Sequence, residues 1–221
     1  MGLECGISGS ARMTQVSPVV FVVDDDLSVR ESLVALLHHE GWRTEAFETA
    51  QHFLNRPRTT SPSCVILDVN LPDLSGLDLQ ERLRAEHVEM PIIFLTGYGD
   101  IPLSVKAMKA GAAEFLTKPF VDSVLLDAVR GAIQRSREAL AQNVERASLS
   151  ERFDALSRRE RDVMTLVVQG FLNKQVGGKL GISEITVKAH RGKVMQKMNA
   201  KTFADLVNMA ARLGLSTGRQ S

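Results

Sequence analysis

The sequence predicts two units of different class: a doubly wound α/β unit on a five-stranded parallel sheet, then a helical linker and an all-α unit containing a helix-turn-helix. Three observations carry this. Apolar runs at "VVFVV" (19–23), "CVILD" (64–68), "IIFLT" (92–96) and "EFLTK" (114–118), with a weaker one at "WRTEAF" (42–47), are near-continuous rather than alternating. Such runs mark strands covered on both faces, as in a parallel sheet. They are interleaved with segments of helical spacing, the βαβ order of an open sheet. Finally, the charge changes sign along the chain: of 27 Lys and Arg and 26 Asp and Glu, residues 150–221 hold 13 and 6, leaving 14 and 20 before them. Only the basic second half is expected to meet a polyanion.

A length of 221 residues suits two domains, since one compact unit is typically about 100–150 residues. The expected boundaries are a disordered lead over 1–17, the α/β domain over 18–125, a helical linker over 126–152 and the helical domain over 153–221. A hydrophobic content of 44% with 24% charged residues allows real cores and excludes disorder throughout. Two cysteines, Cys5 and Cys64, exclude a disulfide framework and point to a reducing, cytoplasmic setting. No stretch approaches the roughly 18 apolar residues of a membrane span, so no membrane partner is expected.

The elements follow in order. After the first strand, Val29, Leu33, Leu36 and Leu37 keep a helical beat; Leu77 to Leu83 repeat it after the third strand, and Val105, Met108 and Lys109 after the fourth, up to Gly111. Beyond the fifth strand, Leu126, Val129, Ile133, Leu140, Val144 and Ala147 describe one long helix that runs on as a linker. Gly131, Ser136 and Arg137 interrupt its seam, which favours a spacer over a coiled coil.

In open α/β sheets, polar chemistry gathers at the carboxyl ends of the strands. Here those ends carry Asp24, Asp25 and Asp26, then Asp68 with Asn70, then Thr96, then Lys118. A lone Asp at such a place is more often a helix cap than a nucleophile, and Asp26 is read as pointing away or capping the next helix. The others coincide at one edge, where clustered carboxylates need a cation. Asp25 and Asp68, with the backbone carbonyl of Asn70, offer the hard oxygen ligands that Mg²⁺ prefers. Asp68 is then placed to attack phosphorus, with the Thr96 hydroxyl and the Lys118 ammonium donating to phosphoryl oxygens.

Through "VVDDD", "LDVNLPDLSG", "FLTGYGD" and "FLTKPF", residues 18–125 resemble the flavodoxin-like receiver domain of two-component response regulators. The resemblance implies Asp68 as phosphoacceptor, a Mg²⁺ or Mn²⁺ site at Asp24, Asp25, Asp68 and Asn70, and a phosphate contact from Lys118. It also implies a switch through Thr96 and Phe115, a cis Lys118-Pro119 bond, and a sensor histidine kinase as partner rather than turnover of a substrate. Phe115 replaces a common Tyr, which removes a hydroxyl but keeps the ring. Tyr98 and Asn70 stand where side chains govern water access to the phosphoryl group.

In the basic half, Ser157 and Glu160 have capping-box spacing at the start of a helix that Gly170 closes. "NKQVGGKL" (173–180), the break "GIS" (181–183) and "EITVKAHRGKVMQKM" (184–198) then form a helix-turn-helix, with Ser183 capping the second helix. On that helix Lys188, Arg191 and Met195 share a face flanked by Thr186, His190, Lys193 and Lys197, while Val187, Val194 and Met198 turn inward. Residues 153–215 resemble the LuxR-type DNA-binding domain, and the whole chain resembles the NarL/FixJ family, FixJ-like branch. The resemblance implies double-stranded DNA as partner, with contacts from Asn173, Lys174, Glu184, Thr186, Lys188, His190, Arg191, Lys193 and Lys197. It further implies homodimers on phosphorylation or DNA binding, a dimer contact from the helix near Thr202 to Leu213, and RNA polymerase as a further partner. Leu172 stands where a capping Ser is common, so Asn173 is expected to cap instead. Two competing readings are a Mg²⁺-dependent phosphatase, which would want a second carboxylate where Asn70 stands, and an unphosphorylated dimer scaffold attached to the DNA reader.

Overall fold

The computed structural model describes residues 17–97 and 101–215. The lead expected over 1–17, Ser17 excepted, and the expected role of Tyr98 lie outside the described residues. The chain divides into two compact units, residues 1–140 and 141–221.

The first unit carries β1 (Val19–Val23), α1 (Leu27–His39), β2 (Arg43–Phe47), α2 (Ala50–Leu54), β3 (Ser63–Asp68), α3 (Gly76–Ala85), β4 (Ile92–Thr96), α4 (Ile101–Lys109), β5 (Glu114–Thr117) and the start of α5 (Asp122–Asp154). All strand pairs are parallel and the sheet order is β2-β1-β3-β4-β5. This is the five-stranded doubly wound fold that the apolar runs predict. The near-continuous apolarity has a direct cause: alternate residues of β1, β3 and β4 feed two separate cores. Phe21, Val65 and Phe94 pack with Phe53 of α2, Leu79 of α3 and Ala107 of α4. Val20, Val22, Cys64, Ile66 and Ile93 pack with Leu33 and Leu37 of α1 and Leu125, Val129 and Ile133 of α5. Fully burying an aliphatic side chain of this size contributes roughly 1.5–3 kcal/mol. Burial pushes the Cys64 thiol up to about 12, so it packs as an inert apolar group.

Local signals set the helix starts. Asp26 caps α1, its Oδ1 accepting the Ser28 and Val29 N–H groups. Thr49 caps α2 and Ser75 caps α3. Ser136, which looks like a gap in the α5 seam, is buried; its Oγ accepts the Ser63 N–H at 3.0 Å and ties the helix to the start of β3. In contrast, residues 141–147 of α5 are all exposed, Val144 among them.

The second unit comprises the end of α5, α6 (Arg158–Val168), α7 (Asn173–Leu180), α8 (Glu184–Met198) and α9 (Phe203–Arg212). Leu149, Leu156, Val163, Met164, Val167, Val176, Val187, Val194, Met198 and Leu206 form its core. The capping box of Ser157 and Glu160 is present, and Ser183 caps α8. Gly177 is required by close approach: a Cβ there would lie 2.7 Å from the Ile182 carbonyl oxygen, whereas one on Gly178 would meet nothing within 4 Å. Two expectations need correction. Met195 is half-buried against the core rather than on the outer face of α8, because Val194 and Met198 bring that side of the helix down. Asn173 is the first residue of α7, not its cap; the Leu172 N–H is instead held by Gln175 Oε1 at 2.8 Å. Among the described residues no helix is long and apolar enough to cross a membrane.

Candidate functional site

The ends of β1, β3, β4 and β5 bring four predicted side chains to one edge of the sheet. Asp24 is 1% exposed, Asp68 8% and Thr96 0%, while Asp25 is exposed. Carboxylate oxygens of Asp24, Asp25 and Asp68 lie within 4.8 Å of one another. Each buried carboxylate divides its oxygens in the same way. Asp24 Oδ1 accepts the Asp26 N–H and Asp68 Oδ1 accepts the Asn70 N–H, both at 3.0 Å, while each Oδ2 accepts from Lys118 Nζ at 2.6 Å. The Arg30 guanidinium donates to the Asp24 carbonyl at 2.6 Å. The cis Lys118-Pro119 bond is present, and the Lys118 N–H donates to the Thr96 carbonyl at 2.7 Å, which joins the β5 end to the β4 end.

The electrostatics follow from this placement. Burial pushes the Asp24 carboxyl above its ordinary range, against the lowering effect of the Lys118 hydrogen bond. Burial would depress the Lys118 ammonium, but its hydrogen bonds to Asp24 and Asp68, with their charges, outweigh burial and hold it above the ordinary lysine value. Lys118 is therefore cationic at neutral pH. One ammonium among three carboxylates leaves net negative charge on hard oxygen donors. That donor set suits a small divalent cation, and the group passes that chemical test on Asp24, Asp25 and Asp68.

Gly76 is part of the same construction. Its N–H donates to the Val69 carbonyl at 2.9 Å, and a Cβ on it would lie 2.5 Å from the Asp68 carbonyl oxygen. The start of α3 therefore presses on the chain at Asp68 as only glycine allows. The stretch "LDVNLPDLSG" contains this residue, but spacing alone gives it no such role. Phe115 is half-buried, its ring centroid 6.2 Å from that of Phe94.

The second unit sorts the predicted basic and polar residues into groups. Asn173, Lys174, Glu184 and Arg191 line one cleft of about 420 Å³ together with Phe171, Leu172 and Phe203. Within it Arg191 Nη1 donates to Asn173 Oδ1 at 2.7 Å, and the guanidinium lies 5.3 Å from the Phe203 ring centroid. Lys188 faces Glu184 at 3.6 Å, Thr186 shares a hydrogen bond with Ser183, and Lys193 is exposed. His190 is half-buried and its Nδ1 has no partner among the described residues. Lys197 is engaged within the unit itself, where its Nζ donates to Glu160 Oε2 at 2.7 Å and to the Ala155 carbonyl at 3.2 Å. Glu160, 4% exposed, is held down to about 2 by this hydrogen bond and by the Ser157 N–H. Sequence spacing carries no signal for this pairing, because it joins residues 37 apart.

The comparisons agree with this division. The family model described as the response regulator receiver domain matches residues 20–130. That described as bacterial regulatory proteins, luxR family, matches residues 154–210. Nodulation protein W of Bradyrhizobium diazoefficiens is 49% identical, covering 90% of this chain and 87% of that protein. Transcriptional regulatory protein FixJ of Azorhizobium caulinodans is 42% identical, covering 89% and 93%. The solved structure of the response regulator StyR is similar at 45% identity with a TM-score of 0.77, covering 89% of this chain and all of that one. Two matched domains in this order, on the fold and side-chain geometry described, lead to one assignment: the chain belongs to the response regulators that join a receiver domain to a LuxR-family DNA-binding domain, a family of transcriptional regulators.

Proposed function

We propose that Asp68 is the phosphoryl acceptor of this regulator and that its modification controls how the chain pairs and binds promoters. The observation that carries the reading is the Lys118 ammonium 2.6 Å from both Asp24 and Asp68, with the Asp25 carboxylate alongside. A phosphohistidine on a sensor kinase supplies the group: Asp68 Oδ forms the bond to phosphorus, the N–P bond breaks, and its electron pair returns to the imidazole, which takes up a proton. Asp24, Asp25 and Asp68, with the Asn70 backbone carbonyl, would hold Mg²⁺ or Mn²⁺, which offsets phosphoryl charge. Lys118 and Thr96 stabilise and orient the phosphoryl oxygens, and the chain is a regulator rather than a turnover enzyme.

The new phosphoryl charge, roughly −1.5 to −2, biases Thr96 and Phe115 toward a second arrangement of the β4, α4 and β5 face. Ile101, Val105 and Met108 are exposed at helical spacing on α4, an apolar stripe suited to pairing with a second copy. In the second unit α8 lies in the major groove of a paired half-site, with Lys188, Lys193 and Arg191 outward and Asn173 and Lys174 toward phosphate. Lys197 is left out of that set because it serves Glu160. RNA polymerase is a further partner on this reading, the compartment is the cytoplasm, and the working boundaries are 18–125, 126–152 and 153–221. Treatment with acetyl phosphate and Mg²⁺, followed by intact mass and by binding to a genomic duplex library, tests both halves. One phosphoryl group should appear on wild type and none on Asp68→Asn; uptake at another residue, or equal DNA affinity before and after treatment, refutes the proposal.

A further inference from the structure

One residue on the outer side of α8 has a chemistry that phosphate binding and hydrogen-bonded base recognition leave unused. Ile185 is 80% exposed, on the first turn of the helix, directly after the Ser183 cap and Glu184. It cannot roll into the core. Val187, Val194 and Met198 are at most 1% exposed, and they fix the rotation of α8 so that Ile185 stays outward. A β-branched side chain on a helix has one strongly preferred χ1, so its methyl groups keep one direction. The next residues along the same face, Ala189 and Gly192, are exposed and too short to hold the helix away from a surface it approaches. Nearby polar side chains already have partners: Lys188 with Glu184 and Arg191 with Asn173.

The N-terminal residues of a recognition helix are those that meet base edges. In the major groove the apolar feature of a base edge is the C5-methyl of thymine, and apolar side chains contact it. Resting on the DNA-reading function proposed above, we propose that Ile185 is a specificity-determining residue that selects thymine at one position of each half-site by packing on its C5-methyl group. Lys188 and Arg191 supply charge and hydrogen bonds beside it; Ile185 supplies discrimination that neither can, because a methyl group offers no hydrogen-bond acceptor.

The experiment uses the full chain, treated with acetyl phosphate and Mg²⁺, to select sites from a randomised duplex library. Each thymine of the preferred site is then replaced by uracil, which removes the methyl group and nothing else, and affinity is measured at fixed salt. One uracil position per half-site should weaken wild-type binding about fourfold, the worth of one buried methyl group. The same replacement should leave Ile185→Ser unaffected, while Ile185→Val keeps the sensitivity. Ile185→Ala repeats the test if Ser disturbs the first turn. A site with no methyl-sensitive thymine, or a loss that persists in Ile185→Ser, overturns the inference while leaving DNA reading intact. A wild type that enriches no sequence overturns the DNA-reading function and the inference together.

Discussion

Replacing Lys118 with Met keeps the apolar stem and removes the ammonium that bonds Asp24 and Asp68 at 2.6 Å each. Hydrogen bonds to charged groups contribute about 1.5–3 kcal/mol, and deleting one partner of a buried ion pair costs about 3–5 kcal/mol because the other charge stays buried. The Lys118 side chain retains 20% exposure and that of Asp68 10%, so water recovers part of the loss. The expected destabilisation is about 3 kcal/mol at neutral pH. Its sign with pH is fixed by the groups involved. Asp24 already lies above its ordinary value because of burial, and losing Lys118 removes the hydrogen bond that lowers it. A carboxyl with a raised folded pKa weakens the native state once pH exceeds its unfolded value, so the deficit is full at neutral pH. It begins to shrink as pH falls through the raised folded value and is gone once pH is below the ordinary carboxyl value of about 4. On the alkaline side, Lys118 itself is raised, so its contribution persists through neutral pH and fades only above the ordinary lysine range. Trp42 is the sole tryptophan and packs on the core formed by α1 and α5, so urea unfolding followed by its fluorescence reads this unit alone. Mg²⁺ should restore more stability to Lys118→Met than it adds to wild type, since binding to the native state stabilises by mass action. Equal unfolding midpoints at neutral pH, or a deficit that does not shrink in acid, would refute the electrostatic account.

Glu160→Gln keeps a capping side chain but loses the ion pair with Lys197. It should destabilise the second unit by about 2 kcal/mol at neutral pH. Because the folded pKa is lowered from 4.5 to about 2, that contribution is present above 4.5 and disappears as pH falls through 2; amide exchange across α6 and α8 measures it. Gly76→Ala places a Cβ 2.5 Å from the Asp68 carbonyl oxygen and 3.1 Å from Phe94 Cε1. It should cost about 1–3 kcal/mol by Trp42-detected unfolding and slow phosphoryl uptake from acetyl phosphate. Ile101→Glu, at a position 79% exposed, should leave unfolding within about 0.5 kcal/mol of wild type. It should nonetheless abolish the acetyl phosphate-induced dimer in sedimentation.

The sheet was legible because burial on both faces leaves its mark in composition: "VVFVV", "CVILD" and "IIFLT" are apolar up to their polar last residues Asp68 and Thr96, since each apolar residue faces one core or the other. β2 was faint because it lies at the sheet edge, with two of its five residues exposed and none fully buried. Asp24, Asp68, Thr96 and Lys118 were legible because chain order places each directly at a strand end, where topology alone brings them together. Gly76 was not, since its role depends on a backbone approach that no side-chain pattern encodes. Caps at Ser157, Ser183 and Asp26 could be read from local spacing, whereas the pairings of Lys197 with Glu160 and Arg191 with Asn173 could not. Both join residues distant in sequence; the first removes a basic group from an apparently uniform outer stripe, and the second fixes the direction of another.

The bare stretch of α5 over residues 141–147 has an energetic meaning of its own. Every one of those residues is open to water, so no buried apolar side chain reinforces the helix there. Besides polar surface contacts such as the ion pair of Glu145 with Arg212 at 2.7 Å, worth little at so exposed a place, its order rests on backbone hydrogen bonds and on the propensities of Ala, Gln, Arg and Glu. Opening this turn or two sacrifices no packing in either flanking core. It is thus the least protected length of α5, where amide protons should exchange fastest and where a protease should make its first cut.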